Sequence, residues 1–444
     1  MIIMEIIKNS LNNVHRLYYK IKPYQAYLSI ILLRLTLDMV YVFVLRSVYG
    51  YSGFILHFVA YKYILSWVAT LVMTPLIVKL YHNSSVSATV VLLINLVYFI
   101  PGCTLYSLLG LPDLYFLFYI LYWIILMFWQ YKLPYIYFRL VSERLSKRIF
   151  TFIIVIIAVG AVVLTGFYNG FQLNFRLDNI YELRAIRRSM NLPIIARYFQ
   201  PFANIFVPLA LIYFLVKKKY IVSFFMIIIQ FLLFSFGGEK FALFMIPFAI
   251  LGYMFYREKR ISWFSWGLVV LNILALLEYI IWNSCYTVAY FQFRSMLLTN
   301  LISFQFFDYF SVHTPDFLMQ SILRRLGFVS DYDIPITYLL GREYYGNVNI
   351  MANNGMIGDA FTNFAWLGLI LFPLFIILAL RFMDACAYRI NRRLILPVVL
   401  GYMIAFINEA FFTVMLTSGF LFMCIALYFM PREGEIIKME GKQT

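Results

Sequence analysis

The chain has 444 residues, 64% of them hydrophobic and 13% charged, with 36 Lys and Arg against 20 Asp and Glu for a net charge of +16. A soluble domain carries about 25% charged and 45–50% apolar residues, so a water-soluble globule and a disordered chain are both excluded. What remains is an all-α polytopic membrane protein, since the apolar runs are long enough for helices and too long for barrel strands. The basic excess points to cytoplasmic loops and anionic lipid, not to nucleic acid.

The N-terminal stretch MIIMEIIKNSLNNVHRLYYKIK has no cleavable signal pattern, so the first span is expected to double as the targeting signal. About twelve helical spans follow, each near the ~20 apolar residues a bilayer requires. They are expected at 24–46, 53–78, 86–108, 112–131, 149–168, 199–216, 220–236, 241–256, 262–282, 360–381, 394–412 and 414–430. The pair over 220–256 is short, and a re-entrant hairpin is the alternative there. In the first span Arg34 and Asp38 sit four apart on one face, which reads as a local ion pair. Lys62, Glu278 and Glu409 also lie in or near spans, but they are scattered and suggest no proton relay. Cys103, Cys285, Cys386 and Cys424 form no disulfide framework or zinc spacing, and no metal motif or nucleotide loop is present. No cofactor is expected.

Basic clusters fall at Lys8–Lys22, Lys132–Arg148, Lys217–Lys219, Arg257–Arg260, Arg381–Arg393 and Arg432–Lys442. If the spans alternate, all lie on one side, which the positive-inside rule makes the cytoplasm, with both termini there. The chain then forms one integral membrane domain over 1–444 with two large exterior loops, 169–198 and 283–359. By this topology 23 basic residues are inside, two (Arg34 and Lys62) lie in spans, and 11 are outside. The inside set mixes 12 Lys with 11 Arg, whereas the outside set is 10 Arg and the single Lys240. Orientation alone would not distinguish the two cations. A planar guanidinium fits phosphate oxygens two at a time, so the exterior reads as built for an anion. Pairing of these arginines with nearby acids or lipid headgroups is the plainer alternative.

In the first exterior loop, Arg184, Arg187 and Arg188 recur at helical spacing, with Tyr181 on the face of Arg184 and Arg188. Such a face suits a phosphate or pyrophosphate; an amphipathic interfacial helix is the alternative. The turn Gly237-Gly238-Glu239-Lys240 leads into a helix N-terminus, where amide donors and Lys240 favour an anion, unless it is a plain hairpin turn. In the second loop, Arg294 and Arg342 add guanidinium groups, and His313 is a candidate general base or a hydrogen-bonded loop histidine. Asp359 and Asn363 lie four apart at the start of a span, beside Asn354. A carboxylate with amide neighbours at the water boundary could grip sugar hydroxyls. A helix N-cap is the rival role for Asp359.

The second loop, through FFDYFSVHTPDFLMQSILRRLG, PITYLLGREYYGN and MANNGMIGDAFTNFAWLG, resembles the signature region of bacterial oligosaccharide repeat-unit polymerases, the Wzy-type enzymes of O-antigen and capsule assembly. The resemblance covers Arg294 to about Gly368. Its most specific part is Asn354-Gly355-x-x-Gly358-Asp359-Ala360-x-x-Asn363-Phe364; family members commonly carry Gly after that Phe, where this chain has Ala365. The resemblance implies a fold like the C-type glycosyltransferases. It implies an enzyme of the outer face of the bacterial cytoplasmic membrane that joins repeat units carried on undecaprenyl pyrophosphate. It also implies no metal or nucleotide sugar, membrane lipid as surroundings, and a chain-length regulator protein as partner. On that scheme His313, Asp359 and Arg294 are the catalytic candidates. Arg184, Arg187, Arg188, Lys240 and Arg342 would hold pyrophosphate, and Asn354, Asn363 and Tyr181 would hold sugar. An O-antigen ligase shares the donor and is the nearest alternative. A lipid-linked oligosaccharide flippase is the alternative from another class, disfavoured because no paired halves are evident.

Overall fold

A computed structural model describes residues 24–432 except 84, 169, 172, 174–193 and 256–262. Among these the chain is helix and turn, with no strand. In chain order the helices are α1 (Gln25–Val48), α2 (Ala60–Tyr81), α3 (Val86–Gly110), α4 (Asp113–Lys132), α5 (Glu143–Tyr168), α6 (Ile194–Val216), α7 (Tyr220–Gly237), α8 (Lys240–Phe255) and α9 (Trp263–Trp282). They continue with α10 (288–310), α11 (Ile336–Tyr345), α12 (Gly355–Phe364), α13 (Gly368–Cys386), α14 (Arg392–Asn408) and α15 (Phe420–Tyr428). Nine helical stretches among the described residues are long and apolar enough to cross a membrane, α12 and α13 counting as one. Phe43, Val72, Phe152, Phe167 and Ile280 all face outward from these helices. Helices that are apolar all round, with large side chains turned outward, belong in lipid. The protein is a multi-pass all-α membrane protein.

Every expected span contains a helix, but two regions differ from the expectation. The last two spans are interrupted: α14 stops at Asn408, a π-helical turn occupies Thr413–Thr417, and α15 has only 9 residues. The second expected loop is largely helical. Its first part, α10, buries Gln292, Met296, Leu297, Asn300, Phe306, Phe307 and Phe310, so one face of it packs inward.

The described residues divide into two compact units, one drawn from 24–83, 94–116 and 263–301, the other from 85–93, 117–255 and 302–432. In the first, Arg34 Nε lies 2.9 Å from Asp38, confirming the ion pair. Its Nη2 donates to Ser66 and Ser107 at 3.0 Å, while Thr104 and Tyr63 donate to Asp38 at 2.8 and 3.2 Å. Lys62 donates to the carbonyls of Gly110 and Leu111, the last acceptors of α3. Glu278 accepts from the amides of Tyr286 and Thr287 and from Ser284, capping the start of α10. Each of these charges finishes a helix or a helix contact.

In the second unit, α6 packs against α5, α7, α8 and α14. Buried Arg381 donates to Ser87 at 2.8 Å, to the Gln130 carbonyl at 2.5 Å and to Asp384 at 3.1 Å, under the ring of Tyr135. The thiols of Cys386 and Cys424 lie close enough to interact, a proximity invisible in their spacing.

Candidate functional site

The motif around Asp359 folds as α12, buried from Gly355 to Asn363. Gly355 sits at φ +55°, and a Cβ there would lie 2.2 Å from the Ile407 carbonyl oxygen, so only glycine lets α12 start against the end of α14. Asp359 is the fifth residue of α12, not its N-cap; Asn354 holds that position. At 3% exposure Asp359 is closed off from solvent. Its Oδ1 accepts from Asn363 Nδ2 at 2.9 Å and Asn354 Nδ2 at 3.3 Å, and its Oδ2 accepts from the Phe411 amide at 2.7 Å. That amide is one of the donors a restarting helix leaves without an intrahelical acceptor. Asp359 thus supplies a bond the interrupted helix after Asn408 cannot make for itself. The carboxylate is compensated for burial by three donors.

Asn363 continues the knot, its Oδ1 accepting from the Leu318 amide at 2.8 Å. Phe317 and Leu318 have φ +51° and +65°, a conformation that costs non-glycine residues on the order of 1 kcal/mol or more each and persists only where surroundings impose it. Asp316, next in line, donates its amide to the Thr362 carbonyl at 2.9 Å and accepts from the Gln320 amide and Ser330 hydroxyl at 2.8 and 2.6 Å. Gln320 in turn donates to the carbonyls of Tyr332 and Ile334 and accepts from the Ile336 amide. One polar chain, from Asp359 to Gln320, therefore fixes the backbone over 316–336.

That frame carries an exposed face. The His313 ring stacks on Tyr309, with centroids 3.9 Å apart and planes within 1°. With Nδ1 bonded 2.8 Å from the Tyr309 carbonyl, Nδ1 holds the proton of the neutral ring and Nε2 is left as an acceptor. Tyr332 and the charges of Glu343, Arg342 and Asp333 bear on the Tyr309 phenol, whose pKa is raised, chiefly by burial. Arg342 is paired with Glu343 at 3.0 Å, both exposed. Tyr344 donates to Asp308 at 2.6 Å, and burial together with that carboxylate raises its phenol well above the usual range. Aromatic faces beside carboxylates, an imidazole acceptor and a guanidinium are groups able to hold a polyhydroxylated, partly anionic molecule.

A second polar group gathers on α6. Pro208 has no N–H, so the Asn204 carbonyl, four residues earlier, lacks its helical donor. Gln230 Nε2 fills the gap at 3.2 Å and also reaches the Ala242 carbonyl at 3.0 Å. The Asn204 side chain donates to Glu239 at 2.6 Å, in the turn where Gly238 takes φ +63°. Glu409 accepts from Ser418 and lies within electrostatic reach of Glu239. Lys240 opens α8 beside Glu239, and both make further contacts.

The structure therefore brings Asn354, Asp359 and Asn363 together, with His313 on the exposed side of the same frame. Arg342 is engaged by its own neighbour. Arg294 belongs to the first compact unit, where it is exposed on α10. Tyr181, Arg184, Arg187 and Arg188 lie outside the described residues. Tyr309, Asp316, Gln320, Asn204 and Glu239 carry contacts that spacing did not reveal, although Pro208 four residues after Asn204 was a readable sign. Among the described residues no group of three or more His, Cys, Asp or Glu could hold a metal ion. No protein-family model matches the chain, and no curated protein or solved structure matches it.

Proposed function

We propose that the chain is a membrane glycosyltransferase that joins undecaprenyl-pyrophosphate-linked oligosaccharides into O-antigen or capsular polysaccharide on the outer face of the bacterial cytoplasmic membrane. The observation that carries this reading is the Asp359 frame. The residues bearing the family resemblance are tied to one another and to the strained turn at 317–318, and that frame presents the Tyr309–His313 stack. Positive-inside orientation puts the 237–240 turn, the 354–359 segment and the 409–418 break on the same, exterior side.

In this scheme an acceptor hydroxyl oxygen bonds to the donor's anomeric carbon. The bond from that carbon to the pyrophosphate oxygen breaks, and the polyprenyl pyrophosphate leaves with the electron pair. The hydroxyl proton passes to His313 Nε2, already aimed outward by its bond to the Tyr309 carbonyl. Arg184, Arg187 and Arg188 offset the charge that grows on the leaving group. Asp359 and Asn363 act as positioning residues, because their polar atoms are already spent on the frame.

The test is extension of lipid-linked repeat units by purified protein in detergent, where no compartment is crossed. Lengthened glycans support the polymerase, and unchanged units remove it. A deletion strain separates the acceptors: single-repeat caps mark a polymerase, and bare lipid A core marks a ligase.

A further inference from the structure

We propose that Asn204, Glu239, Glu409 and Ser418 form a saccharide subsite, one that binds neutral ring hydroxyls of the accepting repeat unit. The inference rests on the polymerase reading and deepens it.

Four elements meet here: α6 through Asn204, the turn before α8 through Glu239, and the two ends of the break after α14 through Glu409 and Ser418. The carboxylate residues are half-buried, while the amides behind them are closed off. Asn204, Gln200 and Gln230 are at most 2% exposed. Yet Asn204 Oδ1, Gln200 Nε2 and Gln230 Oε1 have no hydrogen-bond partner. Asn204 spends its Nδ2 on Glu239, so its idle oxygen lies beside the same carboxylate. Gln230 grips the Asn204 carbonyl and stands against the same turn of α6. A buried polar atom left unmatched loses its hydration without a replacement bond. The Asp359 knot, by contrast, leaves none of its carboxylate oxygens idle. Single idle atoms occur elsewhere, at Thr362, Gln292 and Arg381, but here three gather on one turn of α6 and its Gln230 neighbour beside a carboxylate, which marks the group as incomplete without a ligand.

The chemistry selects that ligand. Carboxylate and amide oxygens predominate, so the set wants donors, and one idle N–H wants an acceptor. A hydroxyl is both at once, and a sugar ring offers several at fixed spacing. Two neighbouring carboxylates repel a pyrophosphate, which directs the uncharged sugars here and the phosphates elsewhere. Phe202, packed on Phe422 and close against Gly419, adds an apolar wall beside the break.

The experiment uses the full chain in detergent with lipid-linked repeat units. Glu409→Gln and Asn204→Leu should each raise KM for those units about tenfold or more, the loss of one charge-assisted hydrogen bond, with the melting temperature close to wild type. A water-soluble carbodiimide reads occupancy directly. Labelling of Glu409, followed by mass spectrometry, should fall severalfold when the units are bound. Wild-type protein that extends nothing removes the polymerase reading itself. Wild-type protein that extends while both variants keep the original KM, or while Glu409 labelling is indifferent to the units, overturns the subsite alone. Should Glu409→Gln melt early, the Asn204 variant and the labelling of wild-type Glu409 decide the question.

Discussion

The Arg34–Asp38 joint of the first compact unit and the α6 group of the second hold charge in opposite ways. In the first, Arg34 and Asp38 meet four side-chain hydroxyls, from Ser66, Ser107, Thr104 and Tyr63, in addition to each other. In the second, Glu239 and Glu409 stand among amides with idle atoms. An ionisable residue in a membrane span is a functional candidate by default. The comparison turns on how fully the charge itself is hydrogen-bonded rather than on burial alone.

Breaking the first joint should have the largest effect. Arg34→Ala leaves the Asp38 carboxylate buried without its cation, which should destabilise the protein by about 3–5 kcal/mol. Thermal melting in detergent would read the loss; a melt like wild type would make the pair dispensable. His313→Ala touches the exposed face instead. Polymer formation in vitro should drop about a hundredfold, the lower range for removing a general base, with an unchanged melt. Full activity would assign proton removal elsewhere. A smaller effect is expected at Ala365, which ends α12 at φ +45° and ψ −127°, a region that favours glycine. Ala365→Gly should raise stability by roughly 1 kcal/mol, seen as a higher melting temperature. The smallest effect, none on polymer length, sharpens the comparison most. Replacing Arg34 and Asp38 together by leucine should cost less stability than Arg34→Ala, because no charge is then left alone and only the Thr104 and Tyr63 hydroxyls lose their acceptor, and polymer length should not change. Altered glycan length in that double variant would give the first unit a chemical role.

Much of the fold could be read from the chain because long apolar runs leave a helix few alternatives in a bilayer. The Arg34–Asp38 pair was legible from its spacing of four. Other features escaped for physical reasons. α10 has Gln292, Asn300 and Asp308 among its Phe and Leu residues and reads as a loop until partners are known. The Gln292 amide finds Asn272 at 2.9 Å and the Asn300 amide finds the Tyr98 carbonyl at 3.1 Å, both far off in sequence. The break after Asn408 hid inside apolar sequence, since its unmet amide is served by Asp359 and by nothing local. Asn363 drew attention as a sugar ligand and Asp359 as its carboxylate neighbour, but the knot uses the polar atoms of both side chains. Asn204, Gln200 and Gln230, which no motif marks, carry idle atoms instead.

The Phe411-to-Asp359 bond also constrains biogenesis. Its acceptor is synthesised 52 residues before its donor. When the last apolar stretches leave the insertion machinery, the uncovered amide at Phe411 meets a docking point already made. Had the order been reversed, that unmet amide would wait for its cover. The chain order therefore spares the nascent protein its costliest moment of exposure, and a C-terminal truncation before Phe411 should leave Asp359 as the exposed half.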